Sequence, residues 1–157
     1  MDEILRLTFL IFFISHIPIT IIIDLQAIVP WLYHESLRKI FSFYVNNFND
    51  ILMRTPPLWL RIYLYSEIFF QVPCFIILSY GLIYRKNWIR ILGMVYGSNA
   101  VTILLPILGE FIFSNDLTFH QSITLIGFYT PYLVIPAIFT IYLINTEVPF
   151  AEKEKSR

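Results

Sequence analysis

Four long apolar stretches limit this chain to very few folds. The last runs from Ser122 to Ile144 without an Asp, Glu, Lys or Arg. The third runs from about Ile91 to Phe113 and is uncharged from Ile91 through Gly109. The second, about Leu58 to Tyr84, carries Arg61 and Glu67, and the first, about Ile4 to Val29, carries Arg6 and Asp24. A span needs roughly 20 mostly apolar residues to cross the hydrocarbon of a bilayer. In lipid every backbone N–H and C=O must be satisfied within the protein, which an open sheet cannot do. The stretches therefore predict an all-α integral membrane protein, a bundle of four transmembrane helices.

Composition excludes the competing classes. The chain is 57% hydrophobic and 14% charged, against roughly 25% charged in soluble domains. A disordered chain needs the reverse balance. Lys plus Arg number 11 and Asp plus Glu 11, so there is no basic excess to hold nucleic acid. The single cysteine, Cys74, excludes an intrachain disulfide or a Cys-based zinc site. No cofactor is expected.

The first stretch reads as a retained helix rather than a cleaved leader. It opens on Asp2-Glu3 instead of a basic region, it is long, and no small-residue cleavage site follows it. Four spans place the N-terminus, the turn at Arg85-Lys86-Asn87 and the C-terminus on one side. That side holds Arg6, Arg85, Lys86, Arg90, Lys153, Lys155 and Arg157; the other holds Arg38, Lys39, Arg54 and Arg61. Excess Lys and Arg mark the cytosolic side, so both termini are expected there. Residues 1–150 read as one membrane domain and residues 151–157 as a cytosolic tail. In that tail Lys153 and Lys155 fit a dilysine retrieval signal, an address read by a receptor, which points to the endoplasmic reticulum membrane.

Residues 31 to 57 form a connection that is long for a bundle. Leu32, Leu37, Ile40, Phe41, Tyr44 and Phe48 recur at helical spacing, with Arg38, Lys39, Asn46 and Asn47 between them. This pattern predicts an amphipathic helix lying on the membrane or capping the bundle. Thr55-Pro56-Pro57 ends it.

An ionisable side chain inside a span is a functional candidate by default. Asp24 and Glu67 are two such residues. Asp24 lies six residues before Pro30, hence about 9 Å inside the non-cytosolic end, and Glu67 nine residues after Leu58, hence about 14 Å from that end. The helices are antiparallel, so the two carboxyls approach one level. Arg61 lies about 9 Å above Glu67 by helical rise and does not pair with it. Two adjacent carboxyls do not both ionise cheaply. Such a pair suits an amine cation or a polar headgroup such as a sterol hydroxyl; it suits proton transfer; or it is a structural pair that fixes helix packing. Gln71 is one turn from Glu67, His16 faces roughly as Asp24 does, Asn99 and Thr102 sit in span three, and Tyr129 and Tyr132 in span four. No second histidine shares a span with His16, so it is not expected to hold a metal. Pro18, Pro73, Pro106, Pro131 and Pro136 put at least one proline in every span. Each removes a backbone hydrogen bond and tends to kink its helix, which favours an internal space.

Several blocks carry a resemblance. Ser15-His16-Ile17-Pro18-Ile19-Thr20 and Asp24-Leu25-Gln26-Ala27 resemble the first span of the sigma-2 receptor (transmembrane protein 97) family. Pro56-Pro57 with Trp59, Glu67, Phe70-Gln71 and Pro73 resemble its second span. Trp88-Ile89-Arg90, Leu105-Pro106-Ile107-Leu108, Pro131-Tyr132-Leu133 and Ile135-Pro136 continue it in order. The chain is shorter before span one and in the third connection. The resemblance implies the EXPERA fold shared with emopamil-binding protein, a homodimer, and a membrane-open pocket for sterols and cationic amphiphiles. It implies Asp24 as the cation partner and Glu67 as its proton-sharing neighbour. His16, Tyr44, Asp50, Met53, Gln71, Tyr129 and Tyr132 would line or support the pocket, Met53 departing from the family's usual residue. Thr102 follows from a looser match in span three.

The resemblance also implies a role in sterol homeostasis, with membrane lipids and a sterol-transport membrane protein as partners. The expected function is a non-enzymatic binding regulator. The alternatives are a sterol double-bond isomerase and a trafficking factor that aids delivery of mitochondrial precursors.

Overall fold

The computed structural model describes residues 1–150, so the retrieval lysines Lys153 and Lys155 lie outside the described residues. The described chain is helical. α1 spans Glu3–Ile22, α2 Glu35–Phe48, α3 Ile51–Arg54, α4 Leu58–Ser66, α5 Val72–Ile83, α6 Ile89–Phe113 and α7 Phe119–Asn145. Four segments are long and apolar enough to cross a membrane: Glu3–Ala27, Leu58–Ile83, Ile89–Phe113 and Phe119–Asn145. The four expected spans are thus present, with ends moved by a few residues.

Capping explains several boundaries. Asp2 Oδ1 accepts from Leu5 N–H at 2.8 Å and starts α1. Thr118 and Gln121 form a reciprocal capping box that starts α7. Helices run on through Pro18, Pro106, Pro131 and Pro136. The regular α geometry gives way instead at two other places. After α1 the first span tightens into a 3-10 turn, Asp24–Ala27. Between α4 and α5 the second span widens into a π turn, Glu67–Gln71, in which Val72 N–H bonds Glu67 C=O. Pro73, next in line, has no N–H to offer an α-helical bond. Each irregularity opens on one of the two intramembrane acids.

α1 lies along α5, and α6 along α7. The second contact is close because Gly93 and Gly97 face α7: a Cβ on Gly97 would lie 1.8 Å from Thr140 Oγ1 and 2.9 Å from the Pro136 carbonyl. Small residues four apart allow this approach of two backbones. The core has two parts. Phe9, Phe13, Phe75, Leu78, Leu82, Ile89, Phe139 and Leu143 fill the end that holds the termini. Leu52, Leu60, Leu64, Ile103, Ile107, Phe111 and Leu125 fill the other. Exposed apolar residues such as Ile11, Phe69, Ile76, Leu105 and Ile141 form the outer faces of the spans, as a lipid-facing surface requires.

The connecting segment forms the expected amphipathic helix, α2, followed by the short α3. Leu37, Phe41, Tyr44, Val45 and Phe48 turn inward, while Arg38, Lys39, Asn46 and Asn47 are exposed. Leu32, part of the same expected pattern, lies before α2 in the 3-10 turn Pro30–Leu32 and is 69% exposed. Ile40 was expected on the inner face but is 53% exposed, beside Phe43 at 65%. These two give α2 a second apolar edge, suited to the membrane interface. At the opposite end the segment 149–150 is tied to the N-terminus and to Asn87. The Met1 amino group donates to the Pro149 carbonyl. Asn87 Nδ2 donates to the Phe150 carbonyl at 3.1 Å, and Asn87 Oδ1 accepts Phe150 N–H at 2.8 Å.

Candidate functional site: an acid-lined cavity within the bundle

A cavity of about 380 Å³ lies where the two halves of the core meet. Its volume falls in the range of small-molecule sites. Every span and both loop helices contribute to its wall. Of the candidate site residues, His16, Asp24, Tyr44, Met53, Glu67, Gln71, Tyr129 and Tyr132 line it. The rest is mainly apolar, including Ile19, Leu60, Leu64, Ala100, Ile103 and Phe128.

Asp24 sits on the 3-10 turn, which is held from two sides. The buried Gln26 donates from Nε2 to the Ile22 carbonyl and, at 3.3 Å, to the Leu37 carbonyl of α2. The Tyr33 hydroxyl donates to the Ile21 carbonyl. Burial, and then the Asp24 charge, push the Tyr33 hydroxyl above its ordinary titration range, so it stays a donor. These bonds satisfy carbonyls at the end of α1 that the helix itself leaves open. The Asp24 carboxyl accepts no hydrogen bond among the described residues and remains available to the cavity.

Glu67 is held differently. Thr20 Oγ1, on the buried face of α1, donates to its Oε1 at 2.6 Å. His16 Nε2 stands 3.6 Å from the same oxygen. The His16 ring stacks on Phe75 with centroids 4.6 Å apart and packs against Tyr132 at 4.6 Å. One ligand-competent atom each from His16, Asp24 and Glu67 lies within 4.8 Å of the other two. The two acids, at one level by helical rise, thus stand within 4.8 Å of each other. Two unit charges 4.8 Å apart repel by about 3 kcal/mol at an effective dielectric of roughly 20. No Lys or Arg lines the cavity, and Arg61 spends its Nε on the Pro56 carbonyl at 2.8 Å. A proton or an exogenous cation must offset the pair.

Asp50 supports the wall from behind. It is fully buried. Oδ1 accepts the N–H groups of Leu52 and Met53 at 3.1 and 2.9 Å, capping α3. Oδ2 accepts the hydroxyls of Tyr44 and Tyr129 at 2.7 and 2.8 Å. One carboxyl group thereby joins α2, α3 and α7. Burial, and then the Asp50 charge, hold the Tyr44 hydroxyl above its ordinary titration range, so it donates throughout the physiological range.

Thr102 does not belong to the site. Its side chain is exposed and its hydroxyl bonds the Ser98 carbonyl of its own helix at 2.8 Å. α6 turns Tyr96, Ala100, Ile103 and Ile107 to the cavity instead, which puts Thr102 on another face. Asn99 stands beside the cavity and accepts from Gln71 Nε2 at 3.2 Å. Sequence reasoning missed Thr20 and Tyr96. Thr20 lies one turn from His16, and that spacing was the available signal. His16, expected at the pocket but not as a metal ligand, stands beside both carboxyls.

Comparison with known proteins bears on the same region. The EXPERA (EXPanded EBP superfamily) family matches residues 36–143. Sigma intracellular receptor 2 of Macaca fascicularis is 36% identical over 94% of this chain and 90% of its own length. The protein of the same name from Homo sapiens is 35% identical over the same shares. Efficient mitochondria targeting-associated protein 19 of Schizosaccharomyces pombe is 32% identical over 80% of this chain and 67% of its own length.

Proposed function

Since the chain belongs to the EXPERA family, in its sigma-2 receptor branch, we propose that it binds sterols or cationic amphiphilic lipids and thereby regulates lipid homeostasis or the trafficking of membrane proteins. The Lys/Arg distribution and the Lys153 and Lys155 pattern support a location in the endoplasmic reticulum membrane with both termini cytosolic. In this reading residues 1–150 are the binding domain and residues 151–157 a retrieval tail. The protein acts as a homodimer, with membrane lipids and a sterol-transport membrane protein as partners.

One observation carries the reading: two acids face one mainly apolar cavity that no Lys or Arg among the described residues lines. An amine drawn from lipid into this cavity gains a partner in Asp24, whose carboxyl has no competing hydrogen bond. Glu67, held by Thr20, completes the anionic wall. The apolar lining takes the hydrocarbon body of the ligand. The test is binding of a tritiated cationic amphiphile and of tritiated cholesterol to the purified protein and to Asp24→Asn. The amine should bind the variant at least about tenfold more weakly, as loss of a charge-assisted contact requires. Equal amine affinity in both proteins refutes Asp24 as the cation partner.

A second reading follows from the same pair. Two carboxyls at one apolar wall can move a proton on and off a sterol ring as acid and base, the chemistry of an isomerase. Expression in a yeast strain lacking sterol Δ8-Δ7 isomerase separates the readings. Absence of rescue argues for binding alone, and rescue that survives Glu67→Gln removes Glu67 as the acid or base.

A further inference from the structure

The carboxyl pair does not stand alone at the cavity wall. An imidazole nitrogen converges with it, so that three donor atoms from α1, the 3-10 turn and the π turn lie within 4.8 Å of one another. Tetrahedral zinc with bonds of about 2.0–2.2 Å separates its ligands by roughly 3.3–3.6 Å. His16 Nε2 and Glu67 Oε1 are already 3.6 Å apart. Asp24 has only to close by about 1 Å from the 4.8 Å limit, which side-chain rotation supplies.

Three further observations point to a cation. Charge comes first: beside a single amine one carboxyl of the pair must keep a proton, whereas a divalent ion offsets both carboxylates once both ionise. Pre-aiming comes second. The His16 ring is 8% exposed and fixed between Phe75 and Tyr132. Its Nε2 faces Glu67 Oε1 at 3.6 Å, and its Nδ1 has no hydrogen-bond partner among the described residues. Third is support behind a ligand. Thr20 fixes Glu67 through a 2.6 Å hydrogen bond, the kind of outer contact that orients metal-binding carboxylates. One imidazole with two carboxylates suits zinc and its neighbours better than magnesium or calcium, which prefer oxygen alone. Three protein ligands leave a fourth position open to the cavity.

We propose that His16, Asp24 and Glu67 form an intramembrane binding site for a divalent first-row transition cation, and that the cation and an amine ligand exclude each other. The first half stands on the donor geometry alone; the second rests on the function proposed above.

The probe is zinc sulfate. Full-length protein in detergent, stripped with EDTA, is dialysed to equilibrium against it and the retained metal counted by atomic emission. One zinc per chain is expected. His16→Gln and Glu67→Gln should each weaken retention at least tenfold, since loss of even a supporting residue costs roughly 10–100-fold. A His34→Gln/His120→Gln variant, lacking the two exposed histidines, should retain it. Cooperative melting verifies that each variant is folded, and only the wild type and the surface variant should melt higher with zinc.

Three outcomes overturn the site: no zinc held by the wild type, equal retention by His16→Gln and Glu67→Gln, or loss in the surface variant. Binding of the tritiated amine is measured in parallel. Zinc should raise its apparent Kd, and a 1:1 zinc complex that leaves amine affinity unchanged overturns the exclusion. Failure of the metal-free protein to bind any amine refutes the proposed function and leaves the zinc stoichiometry to be judged by itself.

Discussion

Replacing Asp50 with Ala should unseat the loop helices from the bundle. The fully buried carboxyl accepts four hydrogen bonds: two from backbone N–H groups of α3 and two from the hydroxyls of Tyr44 and Tyr129. Hydrogen bonds to a charged acceptor contribute about 1.5–3 kcal/mol each, and a lost N-cap costs about 1 kcal/mol. The Ala variant also strands two tyrosine hydroxyls in the interior. Breaking a buried charged network in this way costs about 3–5 kcal/mol.

Tyr129→Phe is gentler. It removes one bond, keeps the ring beside Phe111 at 5.0 Å, and leaves Asp50 three of its donors; about 1.5–3 kcal/mol is expected. Tyr44→Phe should cost a similar amount. Because both hydroxyls meet the same Oδ2, the two changes should couple by more than about 0.5 kcal/mol in a double-mutant cycle. The assay is equilibrium unfolding in mixed micelles, followed by circular dichroism. A loss below about 1 kcal/mol in Asp50→Ala, or strict additivity of the two tyrosine changes, refutes the idea that one carboxyl group ties α2, α3 and α7 together.

Three other outcomes are expected. Gly97→Ala puts a Cβ 1.8 Å from Thr140 Oγ1 and should destabilise the α6–α7 contact by about 1–3 kcal/mol, whereas Gly127→Ala, whose added Cβ meets nothing within 4 Å, should gain about 0.4–1 kcal/mol from backbone entropy; thermal melting of the pair distinguishes them. Asn87→Ala removes both hydrogen bonds to Phe150, and limited proteolysis should cut beyond Asn145 faster than in the wild type. Thr20→Val removes the one hydrogen-bond donor to the Glu67 side chain among the described residues, and amine affinity should fall about tenfold, the effect of a single charge-assisted hydrogen bond; an unchanged Kd refutes a contribution of Glu67 to the charge of the site.

The sequence made the spans legible because long uncharged runs have few interpretations. The meeting of Asp24 and Glu67 was legible through depth, since helical rise converts residue number into height. Rotation about the helix axis was not. α6 is apolar nearly all round, so nothing in its pattern chose between the face with Ala100 and Ile103 and the face with Thr102. Thr20 escaped for a related reason: its importance lies in Glu67, 47 residues away on another helix. Neither the 3-10 nor the π turn has a sequence signature strong enough to outweigh an apolar run. Only Pro73, after Glu67-Ile68-Phe69-Phe70-Gln71, hinted at the second. Ile40 followed the inward period of α2 but lay at its edge, where packing against α7 rather than periodicity sets the boundary.

The π turn also fixes how the two halves of the second span are phased. It fits one residue more into a turn than an α-helix holds, so everything beyond it lags by about 100° relative to a continuous α-helix. α4 and α5 are in effect two rotors joined at Glu67. Leu60 and Leu64 on one and Phe75, Leu78 and Leu82 on the other are all buried; on a continuous α-helix these five would share one face, so the π turn aims the two buried faces about 100° apart. Removing a single residue between 68 and 70 would leave the span long enough for the bilayer and as apolar as before. It would nevertheless swing one buried face out toward lipid. The length of this span is therefore set to the residue by rotation, and the acid at the joint sits where the two phases meet.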